Sequence, residues 1–66
     1  MSDNTRIAYV LGFLEATLGS TRSYTLDDIK RRLQIAVKLL KDEDDTELQA
    51  LMRVDGQRQV ELDRVQ

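Results

Sequence analysis

The residues best suited to chemistry in this chain are four cations and one aromatic: Arg22, Lys30, Arg31 and Arg32, with Tyr24 among them. Three consecutive cations can contact phosphate oxygens while a tyrosine stacks on a base, which is how a small nucleic-acid reader works. Asp27 and Asp28 stand one turn earlier, however, and at i, i+4 they can pair with Arg31 and Arg32. A solvated helix face laced with ion pairs is the simpler account. A second candidate is the run Asp42-Glu43-Asp44-Asp45, because carboxylates bind Mg²⁺ or Ca²⁺. It lacks the spacing of a calcium loop, with no Gly at the sixth position and no Glu at the twelfth. Helix capping explains it better. Nucleophilic catalysis has little support: the 66 residues include no His and no Cys, so the Ser and Thr hydroxyls lack an activating imidazole. Gly12, Gly19 and Gly56 are too scattered to form a phosphate-binding loop. These residues predict a non-catalytic protein with no metal and no cofactor.

Composition narrows the classes further. Twelve acidic and ten basic side chains leave a net charge of −2, which argues against a protein that coats nucleic acid by charge alone. No uninterrupted apolar run approaches the ~20 residues of a membrane span, and no signal-peptide pattern precedes the first helix. A cytoplasmic protein is expected. A chain this short buries only about 60% of the surface its unfolded form exposes. A single core of that size gives roughly 3–5 kcal/mol. Without disulfides, and with no metal expected, association with a second copy is the remaining source of stability.

The elements that position these residues are helical. Residues 4–18 read as a first helix, with Ser2, Asp3 and Asn4 as competent N-caps and Gly19 where a left-handed C-cap would fall. Ile7, Val10, Leu11, Leu14 and Leu18 form one stripe, while Ala8, Tyr9, Gly12, Phe13 and Ala16 make the opposite side apolar or small as well. A helix apolar nearly all round belongs in the middle of something. The four-residue recurrence of Ala8, Gly12 and Ala16 suits close approach of another backbone. Tyr9 and Phe13, one turn apart, mark a protein–protein surface. After a polar connection, Thr25-Leu26-Asp27-Asp28 is a capping box that opens a second helix. Its Leu26, Ile29, Leu33, Ala36, Val37 and Leu40 form the expected core stripe, and Ile35 with Leu39 forms a smaller ridge on the far flank. The acidic run ends this helix and starts a third, over 46–54, with Leu48, Leu51 and Met52 on its apolar face. Asp55-Gly56 reads as a boundary between a domain over 1–56 and a tail over 57–66 that is a frayed helix or disordered.

The segment Tyr24-Thr25-Leu26-Asp27-Asp28-Ile29-Lys30-Arg31-Arg32-Leu33 resembles the start of a helix common in MerR-type regulators. The likeness covers about ten residues and lacks the winged-helix segment that precedes them in that family, so it carries no DNA-binding assignment. In type the chain is similar to small phage or mobile-element proteins that bind and block a host protein. Charge also divides along it: residues 1–41 carry a net +3 and residues 42–66 a net −5. Such asymmetry can align an antiparallel assembly.

The resulting expectation is an all-α fold, a helical hairpin plus a short C-terminal helix. It would pair with a second copy through the first helix and the Ile35/Leu39 ridge. Ile7, Ala8, Tyr9, Leu11, Gly12, Phe13, Leu14, Ala16, Leu33, Val37, Leu39 and Leu40 would form the core and dimer interface. Arg22, Tyr24, Arg31, Arg32 and Ile35 would contact a second protein that the dimer blocks or adapts. The competing reading is a small DNA-binding regulator using the basic patch.

Overall fold

The computed structural model describes residues 2–65. Met1 and Gln66, the first residue of the expected domain and the last of the expected tail, lie outside the described residues. Three helices account for most of the rest: α1 (Asp3–Gly19), α2 (Leu26–Leu40) and α3 (Thr46–Val65), with no strand among the described residues. Among the described residues, no helix is long and apolar enough to cross a membrane.

Local chemistry sets the ends of these helices. Ser2 caps α1, its hydroxyl accepting from the Thr5 N–H at 3.2 Å. Gly19 was expected in the left-handed cap position. It stays helical instead, and the cap passes to Ser20, whose N–H donates to the Thr17 carbonyl. The turn then closes through the Ser23 N–H on the Ser20 carbonyl at 2.9 Å, so the reversal requires no left-handed residue. The capping box at α2 forms in full: Thr25 Oγ1 accepts from the Asp28 N–H at 3.1 Å, and Asp28 Oδ2 accepts from the Thr25 N–H at 3.0 Å. At the far end of α2 the Glu43 N–H reaches the Lys38 carbonyl and the Asp42 N–H reaches that of Leu39. This is a Schellman turn, and Asp42 (φ 58°) occupies the left-handed site that glycine usually fills. Asp45 caps α3 by accepting from the Leu48 N–H at 2.8 Å.

The third helix departs most from the sequence reading. It runs without a break past the expected end at 54 and through Asp55-Gly56 to Val65, so residues 57–65 are helical, one of the two alternatives expected for them. Two features carry it past the glycine. Gly56 has no positive φ, and the next turn is held by Arg58 on Asp28 and Gln59 on Tyr24. A Cβ placed on Gly56 would meet nothing within 4 Å. Gly56→Ala is therefore expected to raise stability by about 0.5–1 kcal/mol through the lost freedom of the unfolded chain. The urea midpoint checks it, with an unchanged slope.

Packing places α2 in the middle. It lies against both α1 and α3, whose backbones do not approach each other. The buried apolar residues are Val10, Tyr24, Ile35, Ala36 and Leu48. This shifts the expected phase of α2: Ala36 of the expected stripe is buried and Ile29 half-buried, but the rest of the stripe is not. Ile35, only 1% exposed, and the half-buried Leu39 face inward, while Leu26, Leu33, Val37 and Leu40 stand 49–66% exposed. Ile35 therefore belongs to the interior of the protomer, with Leu39 half-buried beside it. The physical reason is polar: Asp28 and Arg32 share the inner face of α2 with Ile35, and each finds charged partners there.

The first helix is likewise an edge helix, not a central one. Val10, Thr17 and, in part, Phe13 and Leu14 turn inward, whereas Ile7, Tyr9, Leu11 and Leu18 are exposed. Ala8, Gly12 and Ala16 line its outer side, and a Cβ on Gly12 would meet nothing within 4 Å. No backbone of the protomer approaches that face.

Candidate functional site

Two features stand out, a buried polar network and an exposed apolar face. The network centres on Arg32, a residue 4% exposed. Its Nε donates to Thr17 Oγ1 at 2.6 Å, Nη1 to Asp55 Oδ2 at 2.8 Å, and Nη2 to the Phe13 carbonyl at 3.4 Å. The guanidinium also lies over the Phe13 ring, 3.8 Å from its centroid, and near that of Tyr24. One side chain thus ties all three helices. Next to it Arg31 bonds Asp28 Oδ1 at 2.8 Å, and Arg58 bonds Asp28 Oδ2 at 3.0 Å. The Tyr24 hydroxyl accepts from Gln59 at 2.8 Å.

These contacts redistribute the residues expected to meet a partner. Tyr24, Arg32 and Ile35 are buried, and Arg31 is largely covered between Asp28 and Asp55. Of the expected contact set only Arg22 is exposed. The pairing Asp28–Arg32 does not form. Arg31 takes Asp28 at i, i+3, which leaves Arg32 free to reach Asp55 on α3. Sequence reasoning missed Asp55, Arg58 and Thr17. The one available signal was Thr17, a polar residue inside an otherwise apolar stretch.

The acidic run is divided among separate partners. Asp42 lies 3.4 Å from Arg6, Asp44 accepts from Gln49, and Glu43 and Asp45 both reach Lys38. Among the described residues, no group of three or more acidic side chains converges on one point that could hold a metal ion. Arg6, Arg31, Arg32 and Lys38 of the basic first part thus pair with acids of the second part within one protomer.

Burial alone would push the Asp28 carboxyl up. The Thr25 N–H, Arg31 and Arg58 overcome that and hold it well below its ordinary value of 3.8. Asp45 is lowered too, mainly by its bond from Lys38, and Lys38 is raised above 10.5 by the same contact. The signs follow directly. Depressed carboxylates stabilise the fold above their unfolded value and lose that contribution as pH falls through their folded one. A raised lysine stabilises it below 10.5 and loses that contribution as pH rises further. The melting temperature should hold level from about pH 5 to 10 and fall below about pH 4. Asp28→Asn should flatten the acid limb. Circular dichroism melts across a pH series check both.

The apolar face is the candidate functional surface. Leu26, Leu33, Val37 and Leu40 lie roughly 140–180° round α2 from the buried Ile35. On α1, Ile7, Leu11 and Leu18 lie roughly 120–160° round from Phe13, the residue that packs against Arg32. Both sets are exposed in the protomer. Beside the α2 set, a shallow hollow of about 310 Å³ is lined by Leu33, Gln34, Val37, Lys38 and Glu43. Leu11, Leu33, Val37 and Leu40, expected in the core and dimer interface, are thus exposed in the protomer. Compared with protein-family models, with curated proteins and with solved structures, the chain matches none.

Proposed function

We propose that this chain is a small, non-catalytic protein–protein interaction module that works as a homodimer and binds and blocks, or adapts, another protein. The observation that carries the reading is the apolar surface left open on α1 and α2, where seven large aliphatic residues are 49–73% exposed. A surface of that kind on a chain this small is an association site by default. Covering it with a second copy supplies the stability that a 66-residue core lacks. What then stays open to a further protein is Tyr9 on α1, Arg22 in the first turn, and Met52, Val54 and Val60 on α3.

The competing DNA-binding reading loses two of its four cations, because Arg31 and Arg32 are committed to Asp28 and Asp55. Arg22 and Lys30 remain exposed, too few for the steep salt dependence of phosphate contacts.

Light scattering with size exclusion over a concentration series tests the proposal. A mass twice 7.6 kDa is expected at low and moderate salt. A folded species of monomer mass throughout would overturn the homodimer.

A further inference from the structure

Two polar contacts tie residues 57–65, the end of α3, to the rest of the fold. Arg58 Nε donates to Asp28 Oδ2 at 3.0 Å, and the Gln59 amide donates to the Tyr24 hydroxyl at 2.8 Å. Among the described residues, α3 contributes no buried apolar side chain beyond Leu48; Val60 is exposed and Leu62 half-buried. Gly56 stands at the start of this segment, and the space a Cβ would take there is empty. Apart from proline, glycine is the residue that favours a helix interior least. We infer that residues 57–65 are a strap that opens as one unit about Gly56, covering Tyr24 and Asp28 when closed and freeing them when it swings away.

The charges on both sides stay satisfied when the strap opens. Asp28 keeps the Thr25 N–H at 3.0 Å and Arg31 at 2.8 Å. Arg58 keeps Glu61, one turn along the strap, at 3.1 Å. Water takes the place of Gln59 on the Tyr24 hydroxyl. Opening that reached back to Asp55 is a different matter. It would pull apart the buried pair at 2.8 Å and uncover Arg32, the side chain that joins all three helices. The boundary of the moving unit therefore falls at Gly56. The Arg58–Asp28 latch is also one that salt weakens, because the Arg58 side chain is 30% exposed.

With the strap closed Tyr24 is buried, while Arg22, two residues before it, is exposed. Opening frees the hydroxyl end of the tyrosine, so the strap controls whether Tyr24 can join Arg22 in contacting a second protein. That use rests on the interaction role proposed above. The opening itself does not, and it is measured separately.

Amide hydrogen exchange of the full chain, followed residue by residue by NMR, tests the strap. The N–H groups of residues 61–64 bond to carbonyls within it. They should share one protection factor, lower than that of residues 32–36. Arg58→Ala should speed all four by the same factor, roughly threefold or more, and leave residues 32–36 unchanged. Added salt should speed them in the wild type but not in Arg58→Ala. Gly56→Ala should slow them roughly two- to fivefold. Protection that declines steadily toward residue 65 and ignores Arg58→Ala would be ordinary end fraying, and would overturn the inference. So would equal protection of residues 61–64 and 32–36, lowered together by Arg58→Ala, because the segment would then belong to the global folding unit. Neither result bears on the mass found by light scattering, so the homodimer stands or falls on its own test.

Discussion

Arg32→Ala is expected to unfold the protomer. The substitution removes the donor to Thr17 and to the Phe13 carbonyl, and it leaves Asp55 buried with only Arg31 near it, at 3.5 Å. Breaking a buried ion pair from one side costs about 3–5 kcal/mol. That equals roughly the whole stability a core of this size supplies. Helical circular dichroism at 25 °C should collapse at low protein concentration, where self-association contributes least. The double variant Arg32→Met, Asp55→Leu separates charge from shape. Removing both charges together leaves no orphan, and such exchanges are often neutral or stabilising. The double variant should fold again. If Arg32→Ala melted like the wild type, the guanidinium would have to sit in solvent, and the arrangement of the three helices would be wrong.

The second large effect contrasts two neighbours on α2. Ile35→Ala removes the most deeply buried large side chain and is expected to cost about 2–5 kcal/mol. Leu33→Ala, two residues earlier, removes a larger share of the apparent hydrophobic stripe but touches little of the protomer. At dilute concentration it should change stability by no more than about 0.5 kcal/mol. The difference is read from urea unfolding at several protein concentrations. Ile35→Ala lowers the midpoint at every concentration. Leu33→Ala lowers it only at high concentration, where the proposed dimer stabilises the folded state by mass action. Equal losses at all concentrations would return Leu33 to the protomer core.

That contrast also marks how far the sequence could be read. Three helices, the capping box at Thr25, the N-cap at Ser2 and the stop at the acidic run are all local. Each depends on residues within one turn of the chain, where backbone N–H groups need a nearby acceptor and side-chain geometry is set by the helix itself. Asp55-Gly56 misled for the same reason. Locally it is a turn pair, and what keeps it helical is Arg58 and Gln59 reaching residues about 30 positions away.

The candidate surface was legible as a stripe but not as a surface. Periodicity shows that Leu26, Leu33, Val37 and Leu40 share one side of a helix and Ile35 with Leu39 the other. It contains no information on which side another helix covers. The choice lies with Asp28 and Arg32, which share a side with Ile35 and would be stranded if buried without partners. Asp55 and Arg58 reach them only because α3 continues and packs along α2. Helix number, ends and amphipathic periods were thus set by short-range chemistry and readable along the chain. Which apolar side became core and which stayed exposed depended on charges far apart in sequence satisfying one another, and only the packed helices bring those together.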